Sequence, residues 1–147
     1  MSKVLTRREA EYLKTIFNLL SKKGSAGSLE IANSLGISCA TVSETLKKLY
    51  EKGMLVREPW RGVVLSELGL REVNRIIRNH RIFETYAHKL LSVSLDDACE
   101  CAYRVELYLS DEIVDSMCRV LGHPEKCPHN RDIPRGILCC SRKQISQ

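Results

Sequence analysis

The seven cysteines of this 147-residue chain are the first candidates for chemistry: Cys39, Cys99, Cys101, Cys118, Cys127, Cys139 and Cys140. An odd number of cysteines in a reducing compartment argues against a framework of structural disulfides and favours metal or redox chemistry. Groups of four thiolates suit tetrahedral zinc or an iron–sulfur cluster. The cysteine content therefore favours a site that binds a metal or responds to oxidation.

Five of these cysteines are distributed over two predicted helices and a proline-rich tail: Cys101, Cys118, Cys127, Cys139 and Cys140. Their spacing is not that of a compact Cys-x-x-Cys pair, so three interpretations stay open: a metal or iron–sulfur centre, a redox-switching disulfide, and no site at all. His123 and His129 could replace a thiolate as ligands. Cys39 lies at the start of a predicted helix, where we interpret it as a small residue without a further role.

Residues 28–65 predict a winged helix-turn-helix. Ser28 is expected to cap a short helix that ends at Gly36, and Ser38 to cap the longer helix that follows. Two β-rich runs on either side of residues 58–62 predict a hairpin, the wing. The predicted fold class is mainly α: a winged helix-turn-helix with a small β-hairpin wing, followed by a helical dimerisation domain.

The first turn of the longer helix carries small or polar side chains, which is typical of a helix that enters the major groove of DNA with its N-terminus first. The residues expected to face the groove are Ser38, Ala40, Thr41, Ser43 and Glu44. The cations expected to contact phosphates are Lys47, Lys48 and Arg61, with Arg61 at the tip of the wing.

The positive charge of the chain is unevenly placed. Residues 1–62 contain 11 Lys or Arg against 6 Asp or Glu, whereas residues 63–147 contain 12 of each. The whole net charge of +5 therefore lies on the half with the helix-turn-helix. Phosphate neutralisation needs positive charge at the surface that faces DNA, so this asymmetry supports DNA binding.

Helices are also predicted on both sides of the winged unit. Thr6 and Glu9 form a Thr-x-x-Glu capping box, which predicts a helix that begins near Arg7. The N-caps expected for three later helices are Ser66, Asp96 and Ser110. Three helices over residues 66–121 cannot enclose a full core, so their spare apolar surface predicts a homodimer, which would match a palindromic operator.

The sequence lacks the signatures of common enzymes. It has no nucleophile elbow, no P-loop and no paired general acid and base on recognisable elements, so we expect no enzymatic activity. It has no run of about 18 apolar residues, and its N-terminus lacks the apolar stretch of a signal peptide. We therefore expect a cytoplasmic protein without a membrane span.

Several short motifs occur in an order that identifies a family. They are Glu11-Tyr12-Leu13-Lys14-Thr15-Ile16, Thr41-Val42-Ser43, His80-Arg81-x-x-Glu84, Glu106 with Ser110-Asp111-Glu112, Leu121-Gly122-His123-Pro124, and Cys127-Pro128-His129. Over about residues 6–134 the chain resembles the diphtheria toxin repressor and manganese transport regulator family of metal-dependent transcriptional repressors. The resemblance implies Fe or Mn as corepressor and binding of operator DNA as dimers. The chain is too short for the barrel-like C-terminal domain that many members add.

The resemblance implies three domains and a set of metal ligands. The domains are residues 1–66 for DNA binding, residues 67–122 for metal binding and dimerisation, and residues 123–147 as a Cys/Pro-rich tail. The implied ligands are Glu11, His80, Glu84, Cys99 and Glu106. The i, i+4 spacing of His80 and Glu84 puts both side chains on one helix face, where a metal can bridge them. Simpler interpretations stay open: an ion pair for His80 and Glu84, exposed carboxylates for Glu11 and Glu106, and a small buried side chain for Cys99.

Two positions depart from the family's pattern. Tyr103 stands where the family has Cys or Glu, and Leu107 stands where it has His. Leucine cannot ligate a metal and tyrosine seldom does, so the family's regulatory site is impaired or differently built in this chain.

The loss of these two ligands means that any sensing needs others. We predict that a second centre, zinc or an iron–sulfur cluster, is bound by Cys101, Cys118, Cys127 and one of the pair Cys139 and Cys140. The turn at Gly122 would let Cys127 fold back beside Cys118, and residues 128–136 would return the vicinal cysteines to the same place. Bound metal would then pin the tail to the helical domain.

The function predicted from these features is a metal-responsive regulator of transcription that binds operator DNA as a homodimer. The metal would be Fe, Mn or Zn, or an iron–sulfur cluster. The alternative is a winged-helix adaptor for protein interactions with a zinc-pinned tail. Such an adaptor would need neither the charge asymmetry nor the polar start of the recognition helix.

Overall fold

The computed structural model describes residues 5–140, and the chain divides into two compact units between Val73 and Asn74. The helices are α1 (Arg7–Lys23), α2 (Ser28–Leu35), α3 (Cys39–Glu51), α4 (Glu67–Leu90), α5 (Leu95–Val105) and α6 (Asp111–Val120). The strands are β1 (Leu55–Glu58) and β2 (Gly62–Leu65). This architecture confirms the predicted mainly α fold with a small hairpin.

Helix α1 begins where its capping box predicts. The Thr6 side chain accepts a hydrogen bond from the backbone N–H of Glu9, and the Glu9 carboxylate accepts one from the backbone N–H of Thr6 at 2.9 Å. The same carboxylate accepts a hydrogen bond from Nζ of Lys52 at 2.7 Å. Because Lys52 directly follows α3, this ion pair joins the start of α1 to the end of the third helix.

Helices α2 and α3 form the helix-turn-helix. Gly36 ends α2 in the left-handed conformation, and Ser38 caps α3 through the backbone N–H of Thr41, as predicted. The predicted cap of α2 is wrong by one residue, because Ser28 is already helical and Gly27 is the N-cap. The Glu30 carboxylate accepts a hydrogen bond from the Gly27 N–H at 3.0 Å, which is the N3-to-N-cap half of a capping box.

Strands β1 and β2 pair antiparallel, with Leu55 opposite Leu65 and Glu58 opposite Gly62. The hairpin is tied to the loop before α2, because the Ala26 carbonyl accepts a hydrogen bond from the N–H of Val63 at 3.0 Å. Gly62 has a φ of 74°, and a Cβ there would lie 2.7 Å from the Ala26 carbonyl oxygen. Only glycine allows this close approach of the two backbones.

The second unit contains most of α4 together with α5 and α6. Ser66 caps α4 and Ser110 caps α6, as predicted. The predicted cap of α5 is wrong: Ser94 accepts the hydrogen bond from the backbone N–H of Asp97, and Asp96 lies within the first turn. A carboxylate in that first turn still interacts favourably with the helix dipole.

The chain after α6 is irregular but packed. Cys127 and Ile133 are buried in one apolar cluster with Ile82 of α4 and with Val114 and Cys118 of α6. The described part of the predicted tail therefore contributes to the core of the second unit. The remainder of that tail, residues 141–147, lies outside the described residues.

Among residues 5–140, none of the helices combines the length and the apolar character that crossing a membrane requires.

We predict that Glu9→Gln lowers the free energy of unfolding by about 1.5–3 kcal/mol near pH 7, the usual contribution of a hydrogen bond to a charged group. Burial opposes ionisation of Glu9, but hydrogen bonds from Lys52 and Thr6 outweigh it and hold its pKa below the ordinary value of 4.5. A group whose pKa falls on folding stabilises the protein above its unfolded-state pKa and loses that effect as the pH falls through the folded value. The difference between Glu9→Gln and the parent should therefore shrink below about pH 4.5.

Chemical denaturation at neutral and acidic pH checks this expectation. Glu51→Gln, at an exposed position near the end of α3, is the matched control and should leave stability unchanged at both pH values. Equal stability of Glu9→Gln and the parent at pH 7 would contradict the role given to this ion pair.

Candidate metal centre and DNA-binding surface

Two side chains one turn apart on α4 begin the first candidate site. His80 and Glu84 lie on the same helix face, with Nε2 of His80 3.6 Å from Oε2 of Glu84. Glu84 is 1% exposed, so its carboxylate is held inside the second unit. A buried carboxylate needs compensating partners, and the residues around it supply them.

The other donors come from α5 and from the segment after α6. Sγ of Cys99 lies 3.5 Å from Nε2 of His80. Nδ1 of His129 lies 3.3 Å from Oε2 of Glu84, and the buried Cys127 thiol lies within 4.8 Å of both. The two groups of donors, His80 with Cys99 and Cys127 with His129, have Glu84 in common. We call these five residues the Glu84 centre.

Glu106 orients the imidazole of His80. Nδ1 of His80 lies 2.8 Å from Oε2 of Glu106, a carboxylate that is fully buried. With its Nδ1–H donated to Glu106, neutral His80 would have the lone pair of Nε2 available on the side of Glu84 and Cys99. A histidine that binds a metal commonly donates its other ring N–H to a carboxylate in this way.

The charges of the Glu84 centre favour a cation. Burial opposes ionisation of Glu84, but hydrogen bonds with His80 and Cys127 and the charge on His80 outweigh it and lower the pKa of Glu84 to about 2. Burial favours neutral His80, but the carboxylates of Glu106 and Glu84 outweigh it and raise the pKa of His80 above its usual 6.5. Both shifts have the same origin, because the carboxylates and the imidazolium stabilise each other's charged forms.

One atom shows that these residues fit a metal ion. Oε2 of Glu84 is buried and accepts no hydrogen bond from any group within residues 5–140. The imidazoles of His80 and His129 lie near this oxygen, and the thiols of Cys99 and Cys127 lie near the same carboxylate. These groups are ligands for divalent transition metals such as zinc and iron. The donor set of the Glu84 centre therefore fits such an ion.

The ligands implied by the family resemblance do not all lie at one site in the structure. It brings His80, Glu84 and Cys99 together. It places Glu106 against Nδ1 of His80, on the side of the ring away from Cys99, which suits orientation rather than ligation. Glu11 lies on α1 in the first unit, where its Oε1 is 3.9 Å from a guanidinium nitrogen of Arg7.

The two departures from the family pattern have ordinary environments. Leu107 is buried as an apolar side chain, and Tyr103 is 42% exposed on α5. Sequence reasoning did not assign Cys127 and His129 to the same site as His80. The Cys-Pro-His motif was visible in the sequence, but only the folded chain shows that it reaches Glu84.

The five cysteines predicted to bind a second centre do not meet as one group. Cys118, Cys139 and Cys140 come together with His123, and we call these four residues the tail cluster. Cys127 belongs instead to the Glu84 centre. Cys101 is exposed on α5 and joins neither cluster within the described chain, because it lies two positions after Cys99 and so points to another face of the helix.

The thiols of the tail cluster differ in acidity. Burial raises the pKa of Cys118 to about 12. For Cys140 burial acts in the same direction, but hydrogen bonds from the Gly136 backbone and from His123 outweigh it and lower the pKa to about 7. Of Cys118 and Cys140, Cys140 is therefore the thiol that loses its proton first as the pH rises.

The residues predicted to contact DNA lie on the surface of the first unit. Seven are exposed and Thr41 is half-buried: Ser38, Ala40, Thr41, Ser43, Glu44, Lys47, Lys48 and Arg61. Nζ of Lys48 pairs with Glu44 at 3.2 Å along the helix. Arg61 donates to the Gly24 carbonyl and pairs with Glu58, so it also joins the turn of the wing to the loop after α1.

Trp60 is a surface residue that the sequence analysis did not single out. It is 100% exposed at the tip of the wing and has a φ of 68°. The signal available in the sequence was the lone tryptophan of the chain, set between Pro59 and Arg61 in the predicted turn.

Two family models match the chain and together span most of it. Residues 4–63 match the N-terminal DNA-binding domain of iron-dependent repressors, and residues 66–135 match their metal-binding and dimerisation domain. The chain belongs to the iron-dependent repressor family. Members of this family are metal-dependent regulators of transcription that bind DNA and are not enzymes, and the alternative of a protein-interaction adaptor is not favoured.

Named regulators and solved structures are similar to the chain. The chain is 33% identical over 112 residues to the transcriptional regulator MntR of Escherichia coli O6:H1, which covers 75% of this chain and 72% of that protein. A crystal structure of the hypothetical protein SSo2273 from Sulfolobus solfataricus is similar, with a TM-score of 0.76, 32% identity and coverage of 89% of this chain and 100% of that chain. The manganese regulator SloR has a TM-score of 0.74 and 28% identity, over 89% of this chain and 61% of that chain.

The matched metal-binding domain includes the Glu84 centre but only part of the tail cluster. All residues of the Glu84 centre lie within the segment that matches the metal-binding domain of the iron-dependent repressors. Cys139 and Cys140 of the tail cluster lie beyond the end of that segment. Neither the family match nor its named relatives support the predicted iron–sulfur cluster.

We predict that Glu106→Gln weakens divalent-metal binding at the Glu84 centre by roughly 10–100-fold, the usual cost of losing a partner that orients a ligand. The substitution keeps the size of the side chain but removes the charge that raises the pKa of His80. In metal-free protein the pKa of His80 should therefore fall, and NMR titration of the imidazole measures it. Glu100→Gln, at an exposed position on α5, is the control. An unchanged metal affinity together with an unchanged His80 titration would contradict the role of Glu106.

Proposed function

We propose that this iron-dependent repressor homologue binds operator DNA as a homodimer and that a divalent metal at the Glu84 centre controls its affinity for the operator. The observation that carries the proposal is the buried Glu84 carboxylate, which has one oxygen without a hydrogen bond among residues 5–140. Two imidazoles and two thiols lie around the carboxylate, within the segment that matches a metal-binding domain.

The donor set favours Fe²⁺ or Zn²⁺ over Mn²⁺. Cys99 and Cys127 offer soft sulfur ligands, which select iron and zinc, whereas manganese prefers oxygen donors. The thiols are protonated in the metal-free protein, because burial and the Glu84 carboxylate raise the pKa values of both. Loading therefore releases protons, and the affinity of the centre for metal should rise with pH.

The residues of the Glu84 centre come from three separate segments of the second unit. His80 and Glu84 belong to α4, Cys99 to α5, and Cys127 and His129 to the irregular chain after α6. A bound divalent cation supplies the positive charge that compensates Glu84 and joins these segments. Glu106 holds His80 in the orientation that presents Nε2 to its neighbours.

Apolar side chains on the second unit support the homodimer. Those at least 41% exposed include Leu90, Leu91, Tyr103, Tyr108, Ile113 and Val120. An apolar surface of this extent, in a segment that matches a dimerisation domain, suits contact with a second copy of the chain. A two-fold dimer would present two recognition helices, spaced about 34–36 Å apart or at a multiple of that distance.

On DNA, the start of α3 would read the bases and the cations around it would bind phosphates. Ser43 and Glu44 are exposed on the first turns of the helix. Lys47 and Arg61 are exposed where they can reach the backbone on either side. Linkage then requires that metal and operator strengthen each other's binding by the same factor.

We predict that operator affinity depends on salt and rises when Fe²⁺ or Zn²⁺ is added. Lys47→Ala should weaken binding of all DNA sequences similarly and reduce the slope of log affinity against log salt by about 1, since one phosphate contact is lost. Lys89→Ala removes the same charge from an exposed position at the end of α4 and should leave the slope unchanged. Fluorescence anisotropy over a salt series measures both, and an affinity that is insensitive to salt for every DNA tested would rule out the DNA-binding proposal.

We predict that His80→Ala combined with Glu84→Ala lowers the metal content of the second unit by one ion per chain. The double variant should also lose the stimulation of operator binding by metal while keeping its metal-independent affinity for DNA. Cys101→Ser, which alters a thiol outside both clusters, is the control. Unchanged metal stoichiometry in the double variant would place the regulatory site elsewhere.

A further inference from the structure

We propose that the tail cluster, formed by Cys118, His123, Cys139 and Cys140, is a second metal centre that binds one structural zinc ion. This centre lies outside the Glu84 centre, and the proposal does not depend on the regulatory role of that site. Its function would be to fix the chain after α6 onto the second unit.

The separations between the four donor atoms match those of a tetrahedral zinc site. Sγ of Cys118 lies 3.8 Å from Sγ of Cys140. Nδ1 of His123 lies 3.5 Å from the sulfurs of Cys118 and Cys139 and 3.8 Å from that of Cys140. Tetrahedral zinc, with bonds of about 2.3 Å to sulfur and about 2.0–2.1 Å to nitrogen, places two sulfurs about 3.8 Å apart and a sulfur and a nitrogen about 3.6 Å apart.

The end of α6 brings the first two ligands together. The backbone N–H of His123 donates to the Cys118 carbonyl at 2.9 Å, and Gly122 has a φ of 75°. This is the six-to-one hydrogen bond of a Schellman motif, in which the residue after the glycine contacts the last turn of the helix. That contact is commonly between apolar side chains, whereas here it joins an imidazole to a thiol. His123 itself has a φ of 56°, which is uncommon for a residue with a side chain and typical of functional sites.

The returning chain is fixed by close packing. Gly136 lies directly against the guanidinium of Arg78, where a Cβ would be 2.6 Å from a nitrogen of that side chain. The Gly136 carbonyl accepts a hydrogen bond from the backbone N–H of Cys140 at 3.2 Å. Sγ of Cys139 contacts the Asp115 carbonyl of α6 at 3.5 Å. These contacts bring the vicinal cysteines back to the end of α6.

Arg78 supplies the charge that three thiolates would require. Zinc with three thiolates and one neutral imidazole carries a net charge of −1. Arg78 is 6% exposed, and its charge favours the thiolate forms of both Cys118 and Cys140. One of its terminal nitrogens pairs with Asp115 at 2.9 Å, but Nε and Nη1 are buried without a hydrogen-bond partner in the described chain. A buried guanidinium whose N–H groups have no hydrogen-bond partner in the described chain favours negative charge on the neighbouring thiols.

An iron–sulfur cluster, a disulfide and simple core packing each agree less well with the geometry of the tail cluster. An iron–sulfur cluster spreads its ligands around several iron atoms, whereas all four donor atoms here lie within 4.8 Å of one another. A disulfide would engage two of the thiols and leave His123 without a role. Thiols that only fill the core would not gather around His123, which is exposed.

Zinc analysis of the full chain, purified under oxygen-free reducing conditions, tests the proposal. The protein and its variants are loaded with zinc, freed of excess ion and measured by elemental analysis and native mass spectrometry. His123→Asn removes the imidazole but tolerates the left-handed conformation of position 123. We expect His123→Asn and Cys139→Ser each to hold one zinc ion fewer per chain than the parent. Cys118 is left intact because it packs in the core.

Two further measurements complete the test. Cobalt in place of zinc should give the ligand-field bands of a tetrahedral thiolate site in the parent and in the His80→Ala, Glu84→Ala variant, and weaker bands in His123→Asn. Trypsin should cleave after the exposed Arg135 several-fold faster in His123→Asn than in the parent. Cys101→Ser is the matched control and should behave like the parent in every assay.

Two outcomes would overturn the proposal. One is a zinc content and a cobalt spectrum of His123→Asn and Cys139→Ser equal to those of the parent. The other is a disulfide within the tail cluster of the oxygen-free protein, seen as the loss of two hydrogens in the intact mass. A failure of the regulatory proposal would look different, because it would alter metal-dependent DNA binding and leave the zinc of the tail cluster in place.

Discussion

The second unit is organised around a buried negative charge, the Glu84 carboxylate. Removing an ionised carboxylate from water is costly unless cations or hydrogen bonds replace the water. Here the surrounding partners are imidazoles and thiols, and one oxygen of the carboxylate has no hydrogen bond among residues 5–140. The partners come from α4, α5 and the chain after α6, so compensation of this charge links three segments that are distant in sequence. Binding of a cation and ordering of the unit are therefore expected to be coupled.

The Glu84 centre and the tail cluster have different donor atoms, which suit a regulatory metal and a structural metal respectively. The Glu84 centre mixes nitrogen, oxygen and sulfur donors, and its thiols must lose protons before they can bind. Such a site can respond to the supply of metal. The tail cluster offers three thiols and an imidazole beside a buried guanidinium, a donor set typical of structural zinc that stays bound. Tyr103 and Leu107 depart from the ligands that the family resemblance implies, and in our proposal the cysteines provide others.

The first unit has separate requirements, which the charge distribution satisfies. Its recognition helix must present polar side chains outward while its apolar face packs inward. Val42, Leu46 and Leu49 are buried on one side of α3, and the exposed Ser43 and Lys47 lie on the other. The ion pair of Glu9 with Lys52 joins the start of α1 to the end of α3, so a charge pair contributes to the packing of the recognition helix on the first helix.

The sequence by itself determined the elements of the first unit, the family and the pairing of His80 with Glu84. Helix caps such as Ser38 and turns such as Gly36 depend on neighbours within four residues, so local rules predict them. The shift from Asp96 to Ser94 at the cap of α5 shows the limit of those rules, because both residues can accept the same kind of hydrogen bond. The pairing of His80 with Glu84 was predictable for the same local reason.

Only the tertiary structure decided which cysteine meets which partner. Cys127 joins Glu84, while Cys118 meets His123 and the vicinal pair Cys139 and Cys140. The route of residues 123–140 has no helical or strand period, so sequence spacing does not give the distance between its side chains. That route is fixed by contacts between distant residues, such as the packing of Gly136 on Arg78. Ligand sets that depend on such contacts can be read only from the folded chain.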